Sequence, residues 1–122
     1  MSTFAEQVQA AVVAHARWKG HLHQAIDTGS SDFRAEVVKQ DNQCDFGKWL
    51  YGAGETSFPA AANYEEIRTL HAEFHREAAA VLALALAGRG KEAQAAMEVG
   101  SGFGKVSAHL VTTLTRARSL AA

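Results

Sequence analysis

The chain has 122 residues, 48% of them hydrophobic and 20% charged, with a net charge of −1. That length suits one domain with one core, so residues 1–122 are read as a single unit. No block of Lys and Arg offers a surface for nucleic acid or an acidic membrane, and neither is expected as a partner.

The first helix is expected to start near Thr3, with Glu6 three residues on as the reciprocal half of a capping box. Its apolar stripe runs Phe4, Val8, Val12, His15, Trp18 or Lys19, Leu22, Ile26, a three-four spacing that buries one face. His15 lies on that face. The turn cluster from Asp27 to Asp32 ends the helix. A second, shorter helix is expected over Phe33 to Lys39, closed by Asp41 and Asn42. Cys44 then opens the segment CDFGKWLYGAGE, one or two helical turns with Phe46, Trp49 and Tyr51, bounded by Gly52 and Gly54. The stretch TSFPAAAN reads as a loop around Pro59.

A long helix is expected from about Tyr64 to Leu86. Its stripe is Ile67, Leu70, His71, Phe74, His75, Ala78, Val81 and Leu82. The last helix follows GRGK and runs to about Leu120. The glycines of GSGFG, at Gly100, Gly102 and Gly104, each cost roughly 1 kcal/mol inside a helix, so they mark either a break or a close helix crossing. No segment reads as a strand. The expected architecture is an all-α, four-helix bundle with a short additional helix carrying the cysteine.

The N-terminus lacks a positive n-region, and Glu6, Gln7 and Gln9 interrupt any apolar run, so no signal peptide is read. The apolar stretch from Ala78 to Gly88 falls well short of the ~20 residues that span a bilayer. A single cysteine cannot form an internal disulfide, which fits a reducing, cytoplasmic setting.

The chemistry concentrates on a few side chains. His71 and His75 are i and i+4 on one helix, with Cβ atoms about 5–6 Å apart on one side. That spacing suits a zinc ion with Zn–N of ~2.0–2.1 Å. His15 also points inward, from another helix. Buried imidazoles need partners for their ring nitrogens, and one metal ion serves all of these at once. Spacing alone leaves Cys44 either a fourth ligand or a buried free thiol. As a ligand it would complete a closed shell, the pattern of structural and sensing sites rather than catalytic ones. His21, His23 and His109 read as surface or rim residues. A zinc hydrolase would need a placed carboxylate base, and Glu73 is not where an HExxH or HxxEH motif would put it. A di-iron bundle would need Glu-x-x-His pairs, and no histidine has a Glu three residues before it. An enzyme is therefore not expected.

Three local words, in order, resemble the bacterial chemoreceptor zinc-binding (CZB) domain family. They are His15, Trp18, Lys19 and Leu22; then Cys44, Phe46, Gly47, Trp49 and Leu50; then His71, Phe74 and His75. The resemblance runs from about Ala14 to Ala79. It implies a four-helix bundle with a short extra helix and Zn²⁺ held by His15, Cys44, His71 and His75. It also implies a cytoplasmic regulatory role beside chemoreceptors or cyclic-di-GMP signalling proteins, commonly as a homodimer. In that family the zinc-bound cysteine serves zinc sensing or the detection of oxidants such as hypochlorous acid. The alternative is zinc as a staple in an interaction module. The sequence holds no cyclase or receptor signalling region, so the expectation is either a free-standing member or a fragment of a longer receptor, with Met1 and its capped first helix favouring the former.

Overall fold

The computed structural model describes residues 3–58, 62–98 and 100–120. Of the loop expected over Thr56 to Asn63, Thr56 and Ser57 instead end a short helix, and residues 59–61 lie outside the described residues. Among the described residues there are eight helices and no strand. They are α1 (Phe4–Ala16), α2 (Trp18–Thr28), α3 (Ala35–Val38), α4 (Asp45–Leu50), α5 (Gly54–Ser57), α6 (Tyr64–Leu86), α7 (Gly90–Ala96) and α8 (Gly102–Leu120). The all-α class is the one the sequence predicts.

The start of α1 follows from its first residues. Thr3 Oγ1 accepts from the Glu6 N–H at 3.1 Å, and the Glu6 carboxylate accepts from the Thr3 N–H at 2.9 Å. The capping box is complete, and it holds the Glu6 carboxyl below its ordinary range. The expected single first helix is jointed at Arg17, between α1 and α2. Arg17 keeps right-handed helical angles, and the ladder continues through it, from Arg17 N–H to Val13 and from His21 N–H to Arg17. The two segments form one rod with an irregular joint.

The expected helix over Phe33 to Lys39 is a single turn, α3. Arg34 caps it without a side-chain hydrogen bond, and a lone turn lacks the length to sustain itself in water. It persists because Val38 is buried and α3 packs on α6. α6 has the bounds the sequence predicts. Asn63 caps it by accepting from the Glu66 N–H at 3.1 Å, and Glu65 and Glu66 sit in the positive first turn.

The expected last helix is two, α7 and α8. Gly100 takes a left-handed φ of 91°, which breaks the rod where a side chain would be strained. Gly104 serves the other purpose, since a Cβ there would overlap the Glu98 carbonyl oxygen. The glycine cluster therefore both breaks the helix and allows a close approach.

The rods α1–α2, α6, α7 and α8 enclose the core, a layout compatible with the expected four-helix bundle. α8 packs against α1 and α6, and α2 against α6 and α7. α4 lies on α1. Phe74, Phe103, Leu22, Leu50, Ile67, Leu82, Leu110 and Leu114 are the largest apolar side chains wholly inside. Among the described residues, no helix is long and apolar enough to cross a membrane.

Candidate metal centre

α6 is the backbone of the site. Its buried face carries His71 and His75 one turn apart, with exposures of 0% and 3%, flanked by Leu70, Phe74 and Ala78. His15 comes from the last turn of α1 at 2% exposure. Cys44 is the N-cap of α4, and its Sγ accepts from the Gly47 N–H at 3.4 Å. Cys44 is half-buried. The structure brings the four sequence-predicted residues together, with one donor atom from each within 4.8 Å of every other.

The distances have a recognisable pattern. Sγ of Cys44 lies 3.3 Å from His71 Nε2 and 3.5 Å from His75 Nε2, and the two Nε2 atoms are 3.1 Å apart. A tetrahedron with Zn–N of ~2.0–2.1 Å and Zn–S of ~2.3 Å has edges of about 3.3–3.6 Å. The three measured separations are close to those edges.

Proton placement also favours a cation. His15 Nδ1 donates to the Ala11 carbonyl at 2.7 Å, and His75 Nδ1 donates to the Val38 carbonyl at 2.9 Å. A carbonyl oxygen only accepts, so in the neutral rings both protons sit on Nδ1 and both Nε2 atoms carry lone pairs. Carbonyls behind metal-binding imidazoles commonly fix this tautomer. Hydrogen bonds from the thiol or from His71 could satisfy part of this convergence, whereas one cation satisfies all four donors together. His71 Nδ1 is buried without a partner.

Adding protons to the histidines is disfavoured. Burial, then partly offset by the Ala11 carbonyl, pulls His15 down to about 4. Burial, with His15 and His75 beside it, pulls His71 down to about 2. Burial also lowers His75, against the Val38 carbonyl, which raises it. The rings are held neutral, the form that ligates metal. Burial pushes the Cys44 thiol up, while the Gly47 N–H pulls it down. A bound cation would supply the missing counter-charge for the thiolate.

The ring nitrogens sit in an aromatic frame. His15 meets Phe74 edge-on at 4.9 Å, and His71 meets Phe46 edge-on at 5.1 Å. A cleft of about 350 Å³ opens beside Cys44 and His15, walled by Ala11, Ala14, Trp18 and Phe46. Among the described residues, the candidate cluster contains no carboxylate, although Asp45 lines the cleft beside it. Glu73 lies instead in a separate cleft with Arg76, Glu77 and Lys105. His23 and His109 are exposed, and His21 is half-buried against Trp18 and Phe33.

Gly52 and Gly54 bound the cysteine segment and suggest that few contacts would hold it once Cys44 is released, yet the structure anchors it through other side chains. Phe46 and Leu50 are buried at 4% and 0%. The Tyr64 hydroxyl donates to the Leu50 carbonyl at 2.8 Å. Trp49 packs with Phe46, Phe58 and Phe4, and Gly54 lies directly on its ring. The sequence shows the glycines but not the tertiary partners. The carbonyls of Ala11 and Val38 are likewise missed; the first follows from any i−4 helical geometry, and the second has no local signal.

The family described as "Chemoreceptor zinc-binding domain" (CZB) matches residues 15–82. That span begins at His15 and encloses Cys44, His71 and His75. No curated protein and no solved structure matches the chain. The match covers more than half of the sequence and coincides with the geometric cluster, so this chain belongs to the chemoreceptor zinc-binding domain family and is a zinc-binding signalling domain.

Proposed function

We propose that the domain is a regulatory sensor in which His15, Cys44, His71 and His75 hold one Zn²⁺, and that it responds to zinc supply or to oxidation of Cys44. The observation that carries this reading is the asymmetry of the cluster. The three histidines are almost wholly buried, His15 at the inner wall of the cleft, while Cys44 is half-buried on that wall. The metal, when bound, supplies positive charge that holds the thiol as thiolate near neutral pH.

The cleft gives a small oxidant of the peroxide or hypohalous class a path to sulfur. With a peroxide, the Sγ lone pair attacks oxygen, and the S–O bond forms as the O–O bond breaks and hydroxide or alkoxide departs; with a hypohalous acid, Sγ attacks the halogen as hydroxide departs, and water then displaces halide to leave the same S–O bond. The product sulfenate no longer satisfies the site as the thiolate does. Because α4 is well anchored, the change centres on Cys44 and its first turn rather than on the whole segment to Gly54.

A second copy is the partner we favour, within a cytoplasmic chemoreceptor or cyclic-di-GMP assembly. The outer face of α1 exposes Ala10, Val13 and Ala14 between Glu6 and Arg17. A two-fold axis through that face sets Glu6 of one copy against Arg17 of the other.

The test is elemental analysis and X-ray absorption on purified protein before and after mild oxidant. One zinc per chain is expected, with a sulfur scatterer near ~2.3 Å that is lost on oxidation. A nitrogen-only shell in the reduced protein would remove Cys44 from the site.

A further inference from the structure

The loop joining α3 to α4 acts on α4 twice through one residue. Asp41 stands three positions after Val38, whose carbonyl holds the His75 ring. The main-chain oxygen of Asp41 lies so close to Gly47 that a Cβ there would overlap it. The Asp41 carboxylate accepts a hydrogen bond from the Tyr51 hydroxyl. Gly47 is in the first turn of α4, and Tyr51 is its C-cap. One residue therefore grips the helix at both ends.

Cys44 is the N-cap of that same helix and bonds the Gly47 N–H through its sulfur. Moving α4 along or about its axis takes Sγ away from the His71 and His75 nitrogens. Phe46 and Leu50 bury the inner face of α4 and hold it to the bundle. Apolar burial is non-directional, so it resists departure of the helix more than a small slide or roll. A directional bond resists the slide. Tyr51 is 40% exposed, so its ring adds little to the core and its hydroxyl is the part with a definite partner. Burial and the Asp41 carboxylate push that hydroxyl up to about 12, against the nearby Arg68 guanidinium, which lowers it, so it remains a donor throughout the neutral range.

We infer that the Tyr51–Asp41 hydrogen bond is a latch on the Cys44 arm, setting how far the sulfur can swing from the three histidines. Tyr51 and Asp41 are positioning residues that act through Gly47 and the N-cap. The regulatory meaning of the latch rests on Cys44 being a ligand, but its mechanical effect operates in the metal-free chain as well.

The test is the rate at which a small neutral alkylating agent modifies Cys44 in the full chain, with and without zinc. Tyr51→Phe keeps the ring and deletes the donor. Asp41→Asn removes the charge and retains an acceptor oxygen. Tyr51→Phe is expected to react roughly three- to tenfold faster, the population shift one net hydrogen bond supplies. Asp41→Asn is expected to stay near the wild-type rate, with little change in melting temperature for either variant. Equal rates for Tyr51→Phe and wild type in both metal states would overturn the latch. So would acceleration of both variants in step with a fall in melting temperature, which is general loosening. A wild-type rate that zinc does not slow would instead remove Cys44 as a ligand, and the metal-free comparison of Tyr51→Phe with wild type would still decide the latch.

Discussion

His71 and His75 share one turn of α6 and need no tertiary event to face the same way, whereas Cys44 must be delivered by a separate helix. That difference sets the hierarchy that the proposed ligands should show. His71→Ala removes half of a preorganised chelate and should weaken zinc binding more than Cys44→Ala, which leaves three histidines and an open position. Competition with a chelator would measure both; equal losses would contradict the hierarchy. The titration of the metal-free protein has a definite sign. The folded rings of His15 and His71 hold their protons only at about 4 and about 2, against 6.5 when free. Unfolded chains therefore bind protons first as pH falls. The contribution is whole above 6.5 and is lost as pH drops towards 4, with the His71 part continuing lower. Zinc release runs in the same direction, because protons compete for the ligands. Thermal melts of metal-free protein in a series from about pH 7.5 to about pH 4.5 should show a steadily falling melting temperature. A flat profile would mean that the rings are solvated. At this scale the sequence was informative: the i, i+4 pair and His15 announced themselves by sitting in apolar stripes. The acceptor that fixes the His75 tautomer, Val38 O, could not be read, because a backbone carbonyl 37 residues away leaves no trace in side-chain pattern.

Helices that begin at a local signal are legible in the sequence, and α3 and α4, which lean on neighbours, are legible as short helices but not in what holds them. Thr3 with Glu6 set the start of α1, and the long stripe set α6. The joint at Arg17 carries no Pro or Gly. α3 was overestimated because its helix formers extend further than the core it rests on. Gly52 and Gly54 suggest a loosely held α4, while the contacts that anchor it are tertiary: Trp49 on Phe4 and Phe58, and the Tyr64 hydroxyl on the Leu50 carbonyl. Gly47 has a packing role, since the Asp41 carbonyl occupies the space of its Cβ. Gly47→Ala should displace α4, lower stability by about 1–3 kcal/mol as overpacking does, and weaken sulfur ligation. Denaturant unfolding and X-ray absorption on the variant would check both parts. Oxidation should act more locally. Amide exchange is expected to quicken at Cys44 to Gly47, while α6 near His71 keeps its protection. Unchanged exchange there, or the same response in Cys44→Ala, would rule out a redox switch.

Across the whole molecule, the donors come from α1, the N-cap of α4 and α6, three elements that meet only in the folded state. The all-α class and the bundle were readable from composition and spacing, because helix formers and one-sided stripes permit little else. The division of the last helix was readable as one of two outcomes, and Gly100 and Gly104 turn out to serve both. The meeting of three elements has a further consequence in the free-energy balance of folding. The denatured chain offers the ion at most the fragment from His71 to His75, so nearly all affinity belongs to the native state. Each tenfold rise in free zinc above the dissociation constant then adds about 1.4 kcal/mol to stability. For a chain of this size that is roughly 5 °C of melting temperature. Melts in zinc buffers spanning several decades should give a straight line against the logarithm of free zinc. A plateau across that range would mean that unfolding leaves the ion bound. Thermal stability thus becomes a logarithmic gauge of the free metal around the protein.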